Sequence, residues 1–203
     1  MPTGTPPADR PLRRIVTIVA LLNLGYFGIE FAVALAIGSV SLFADSVDFL
    51  EDAAVNLLIL LALGWSLRAR ARVGMGLSAI LLVPALATLW VLWGKLQLAV
   101  PPSALPLSLT GLGALAVNFG CALLLMRYRH HRGSLTRAAF LSARNDVLAN
   151  IAIVLAGILT VFVPSVWPDV VIGIGIMLMN ADAAREVWQA ARCEHDSAMS
   201  AHS

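Results

Sequence analysis

The chain has 203 residues, of which 59% are hydrophobic and 13% charged, with a formal net charge of +2. A soluble domain is about 45–50% apolar and about 25% charged, so this composition excludes an ordinary soluble globule and reads as an integral membrane protein. The near-neutral balance gives no sign of a nucleic-acid partner, and none is expected.

Along the chain, the opening MPTGTPPADRPLRR is too polar and Pro-rich for the apolar core of a signal peptide, so residues 1–12 are expected to be a disordered tail before an uncleaved first span. Six apolar segments follow, 15–37, 41–67, 73–99, 105–126, 137–163 and 169–190, each near the ~20 residues that cross a hydrocarbon core of about 30 Å. Helices are expected, because lipid offers no partner to a backbone amide left unpaired within its own segment. Punctuation falls between them as GSVS, RARAR, VPPSALP, RYRHHRGS and VPSVWP. The fold expected is therefore an all-α membrane protein, a six-transmembrane-helix bundle over residues 13–190, followed by a short tail at 191–203. Cys121 lies in an apolar segment and Cys193 in that tail, which implies no disulfide framework.

Lysine and arginine number 14 in all. They flank span 1 (Arg10, Arg13, Arg14), join spans 2 and 3 (Arg68, Arg70, Arg72), join spans 4 and 5 (Arg127, Arg129, Arg132, Arg137) and end span 6 (Arg185, Arg192). The connections after spans 1, 3 and 5 carry none. Loops rich in these residues stay inside, which places both termini in the cytoplasm, as an even number of spans requires. Lys95 and Arg144 fall within spans.

Span 2 contains ADSVDFLEDAAVN, with four acids in a setting where a central carboxylate costs several kcal/mol. Asp45, Asp48 and Asp52 are spaced i, i+3, i+7 and share one helix face, with Asn56 extending the row. Glu51 lies to one side. Anions stacked this way repel each other unless a cation or a proton sits among them. Span 5 reads RAAFLSARNDVLAN, in which Ser142, Asp146 and Asn150 make a matching row. The acid-x-x-x-Asn step of Asp52/Asn56 thus recurs at Asp146/Asn150, a weak internal similarity of the sort transporters show. Span 2 enters from outside and reaches its row after about nine residues, roughly 13 Å, while span 5 enters from inside and reaches its own after about seven, roughly 11 Å. Both rows lie near the midplane. Asn145, off the main row, can complete a ligand shell by rotation, or make a hydrogen bond between helices.

GSVSLFADSVDFLEDAAVN resembles the second-span signature of the cation diffusion facilitator (cation efflux) family, and RAAFLSARNDVLAN is similar to its fifth. The likeness runs from about Arg13 to Ala190. It implies a carrier, not an enzyme, that exchanges a divalent transition metal for protons. It also implies metal ligands at Asp48, Asp52, Ser142 and Asp146; the ion is expected among the three aspartates, with Ser142, Asn145 or water completing the shell. Ser142 stands where the family holds His or Asp, and the cytoplasmic metal-binding domain usual after span 6 is not expected here. These two departures raise an alternative, a non-transporting relative that serves as partner subunit to a full-length transporter.

Zn²⁺ is the cargo expected first, with Mn²⁺, Fe²⁺ and Co²⁺ open because an oxygen-rich site suits harder ions. No permanently bound cofactor is expected. Asp45, Glu51 and Glu30, the last on one face of span 1 with Asn23 and Tyr26, are read as pathway or proton-coupling groups. Asn118 reads as a hydrogen bond between helices. His130 and His131 read as a solvated loop, and Cys193, Glu194 and His195 as part of a disordered tail. Arg144 either snorkels or neutralises Glu51. Paired aspartates also serve intramembrane enzymes, but the chain has no Gly-x-Gly-Asp or His-Glu-x-x-His element. Besides metal ions and protons, the partners expected are the bilayer, of a bacterial inner membrane, and a second copy of the chain.

Overall fold

The computed structural model describes residues 9–62, 86–126 and 134–200. Six helices occupy these residues, with no strand among them. In chain order they are α1 (Asp9–Ile37), α2 (Val40–Ala62), α3 (86–98), α4 (Ala104–Met126), α5 (Ser134–Phe162) and α6 (Trp167–Ser200). The remainder of the expected third span, and the loop with His130 and His131, lie outside the described residues.

Two ends differ from expectation. Residues 9–12, expected in a disordered tail, are helical, and Pro11 sits in the first turn of α1, where its missing N–H costs nothing. At the other end, α6 continues ten residues past 190, through Cys193, Glu194 and His195. Its 34 residues make a rod of about 51 Å, longer than the ~30 Å hydrocarbon core.

Among the described residues, three stretches are long and apolar enough to cross a membrane by composition: Pro11–Ile37, Ala104–Met126 and Asn145–Phe162. The 23 residues of α2 have a comparable length, and its four acids set it apart. The apolar part of α6 covers Trp167–Met179.

The bundle is apolar outside, and its interior combines apolar clusters, such as Leu42, Phe43, Leu107 and Ile153, with a central row of polar groups. Leucines on α1, α4 and α5, such as Leu21, Leu109 and Leu155, are more than half exposed, a surface suited to lipid. Asn23, Glu30, Asp45, Asp52, Asn118, Asp146 and Asn150 are buried instead. The central element is α2, which contacts α1, α4, α5 and α6. Small residues bring neighbouring backbones close. A Cβ on Gly111 of α4 would stand 2.9 Å from Ile153 of α5, and one on Gly173 of α6 would stand 2.7 Å from Val40 of α2.

The turn between α1 and α2 is tightly specified. Gly38 adopts φ 61°, and Ser39 N–H donates to Ala34 O at 3.0 Å, closing α1 with a left-handed glycine cap. Ser39 then caps α2, since its Oγ accepts from Leu42 N at 3.2 Å. Asp169, near the start of α6, takes the two remaining free amides, Val40 N at 2.8 Å and Ser41 N at 3.1 Å. It also accepts from the hydroxyls of Ser39 and Ser41, both at 2.6 Å. Its negative charge thereby meets the positive end of the α2 dipole. Lys95 near the end of α3 donates to Gly38 O at 2.7 Å. The contacts made by Asp169 and Lys95 therefore gather the arginine-free ends of α1, α3 and α6 at one end of the bundle.

Replacing Asp169 with Ala strands four buried donors, so unfolding of purified protein should show a loss of at least about 3 kcal/mol. Asp169→Asn, which keeps one accepting oxygen, should lose less. Equal stability of Asp169→Ala and wild type would contradict this role.

Candidate metal centre

The spacing on α2 places Asp45, Asp48 and Asp52 along one face, and the enclosing helices bury it. Asp45 is 0% exposed, Glu51 6% and Asp52 8%, while Asp48 is half-buried. From α5, Asp146 and Asn150 turn into the same interior. Asp48 and Asp146 stand within hydrogen-bonding reach of each other, carboxyl to carboxyl. Asp146 also lies within the fields of Asp52 and Asp45. Two helices distant in sequence therefore bring their acids together in the centre of the bundle.

From α1, Asn23 donates to Asp52 Oδ2 at 3.4 Å, and Cys121 Sγ of α4 stands 3.8 Å behind it at Asn23 Oδ1. Tyr26 stacks on Phe49 with ring centroids 5.1 Å apart, and its hydroxyl donates to Thr110 O of α4 at 2.6 Å. It packs directly against Gly113, where a Cβ would displace it. Glu30 faces Asp45 as a second carboxyl pair.

Glu51 is buried beside the charges of Asp48 and Asp52, off the main row. Ser142 lies on α5 one turn before Asp146, but its side chain is outside the described residues, as is that of Arg144. Asn145 is exposed on α5, while Asn150 takes the inward polar position and donates to Asp45 Oδ1 at 3.3 Å. Among the described residues, no three His, Cys, Asp or Glu side chains are grouped closely enough to hold one metal ion. The acids stand in pairs, so a shared ion would have to draw Asp52 toward Asp48 and Asp146.

The recurring acid-x-x-x-Asn step has one geometry in both helices. Asn56 Nδ2 donates to Asp52 O at 2.8 Å, and Asn150 Nδ2 donates to Asp146 O at 2.6 Å. In each case Oδ1 is buried and unpartnered. The donors facing the interior are thus mainly carboxylate and amide oxygens, a set that binds hard or borderline divalent cations.

The chain matches the family model described as "Cation efflux transmembrane domain" over residues 16–191. It belongs to that family. A comparison with curated proteins gives no match. As a cation efflux protein, the chain is an integral membrane cation transporter of a family that is not enzymatic.

Three features of this cation efflux domain escaped the sequence reading. In sequence Ser39 and Ser41 read as loop punctuation and Asp169 as the edge of a span, yet together they cap α2. Lys95 looked like an isolated charge within a span. An acid beside an apolar helix start, opposite a Ser-x-Ser preceding another helix, was the signal available for the first two.

Two carboxyls side by side, one buried and one half-buried, oppose folding in the metal-free state. Asp48→Asn or Asp146→Asn should therefore stabilise the chelator-treated protein at neutral pH by about 1 kcal/mol, and the double variant by less than the sum. A loss of stability in both single variants would contradict the pairing.

Proposed function

We propose that the protein is a divalent-metal/proton antiporter working by alternating access, with its cargo bound among Asp48, Asp52 and Asp146. The observation that carries this reading is the juxtaposition of half-buried Asp48 on α2 with buried Asp146 on α5 inside the bundle. Asn23 holds Asp52 from behind, and Ser142 and water complete the shell.

Carboxylates must be deprotonated to bind metal, so loading releases protons and unloading takes them up. Orientation follows from the arginines: the end carrying Asp169, Lys95 and the arginine-free turns faces outward, and both termini face the cytoplasm. Acid on the outer side then refills the carboxylates with protons and frees the ion. Zn²⁺ is the first cargo to test, with Mn²⁺, Fe²⁺ and Co²⁺ next, since oxygen donors suit the harder ions. A homodimer in a bacterial inner membrane completes the reading.

The test is metal flux into proteoliposomes under an imposed pH gradient. Wild type should carry Zn²⁺ with counterflow of protons, and Asp52→Asn and Asp146→Asn should each fall to background. Flux undiminished in either variant would overturn the site. In purified protein, apparent Zn²⁺ affinity should weaken as pH falls, because protons and metal compete for the same oxygens. An affinity independent of pH would remove the coupling step.

A further inference from the structure

Outward from Asp48 by three residues, about 4.5 Å along α2, lies a second group of oxygens. Glu30 from α1, Asp45 from α2 and Asn150 from α5 are each 0% exposed. Both oxygens of Glu30, Oδ2 of Asp45 and Oδ1 of Asn150 have no hydrogen-bond partner. The orientation of the Asn150 amide is fixed, because its nitrogen donates to two acceptors, Asp45 Oδ1 at 3.3 Å and Asp146 O at 2.6 Å. Its oxygen, on the same carbon as that nitrogen, is buried and left as a free acceptor.

Buried polar atoms are nearly always satisfied, and here every unpartnered atom is an acceptor. The nearest described side-chain hydroxyl on α1, that of Tyr26, is already committed to Thr110 O at 2.6 Å. One proton shared by Glu30 and Asp45 would join a single oxygen from each. It would leave the other Glu30 oxygen and the Asn150 carbonyl without a partner. A metal ion with one or two waters serves all of them. Three helices contribute one donor residue each, which is how a bundle builds an internal ion site.

We propose that Glu30, Asp45 and Asn150 form a second cation station, distinct from Asp48, Asp52 and Asp146, in which oxygen alone holds a divalent ion on its way to the outer side. It rests on the reading of the chain as a divalent-cation carrier. Two stations one turn apart let an arriving ion displace its predecessor by repulsion, so neither has to bind weakly by itself. Asn150 has two tasks: its oxygen is a donor, and its nitrogen orients Asp45.

Mn²⁺, an oxygen-preferring and paramagnetic ion, is the probe. Equilibrium binding to the full chain in detergent, followed by electron paramagnetic resonance, should give two Mn²⁺ per chain, with dipolar broadening from their proximity. Glu30→Gln should reduce this to one ion and abolish the broadening. Asn150→Ala should weaken the same ion by about tenfold or more through loss of the group that orients Asp45. Asp52→Asn combined with Asp146→Asn should remove the other ion and spare the Glu30 station. A wild type that saturates at one Mn²⁺ overturns the second station whether or not any variant folds, as does a Glu30→Gln protein that still binds two. If Asp52→Asn with Asp146→Asn leaves both ions in place, the main transport site fails instead, and that result is separable from the others.

Discussion

A carboxylate carried into hydrocarbon costs several kcal/mol, and α2 carries four within the eight positions from Asp45 to Asp52. Everything else in the bundle answers that burden. No lipid-facing stripe can hold such a helix, so α2 takes the centre and its neighbours surround it. They also supply what a buried charge needs. Asn23 comes from α1, Asn150 from α5 and Asp146 opposite Asp48 also from α5. Leucines cover the outside, and the interior packs amides and acids beside apolar clusters. What the helices leave unneutralised is the room for a cation, and function here is the part of the burial cost that the protein does not cover by itself.

Placement of α2 depends on its outer end. Two contacts to Asp169 and one serine cap satisfy its first amides, two serine hydroxyls hold Asp169 in place, and Gly173 lets α6 approach Val40 closely. The acidic row begins a little over one turn below this anchor, so the depth of Asp45 and Asp48 is set by it. On α5, which runs the other way, the same acid-x-x-x-Asn step puts its Asn toward the opposite end. Asn56 and Asn150 therefore stand on either side of the acids, one toward each end of the bundle. That antiparallel pairing gives physical content to the weak repeat in the sequence.

Much of this was legible in the residues alone. The spacing of Asp45, Asp48 and Asp52 put them on one face, and Ser142, Asp146 and Asn150 made a matching row, because helical periodicity is a local property. The cores of α4 and α5 followed from their apolar length, within a few residues at each end. Partnerships across the fold were not legible. Ser39 and Asp169 are 130 residues apart, and nothing local tells one serine-rich turn from another. The exposed position of Asn145 and the inward one of Asn150 depend on how α5 is rotated against α2, a tertiary choice. Likewise α6 exceeds its apolar segment, since helix propensity continues through Asp182–Ser200 after hydropathy has ended.

The central claim is that acids from α2 and α5 share one ion midway through the bundle. Its most direct test is diffraction from crystals grown with Zn²⁺ and measured at the zinc absorption edge. An anomalous peak bounded by Asp48, Asp52 and Asp146 is the result expected. Anomalous signal confined to the Cys193–Glu194–His195 stretch or to His130 and His131, with none between α2 and α5, would contradict it.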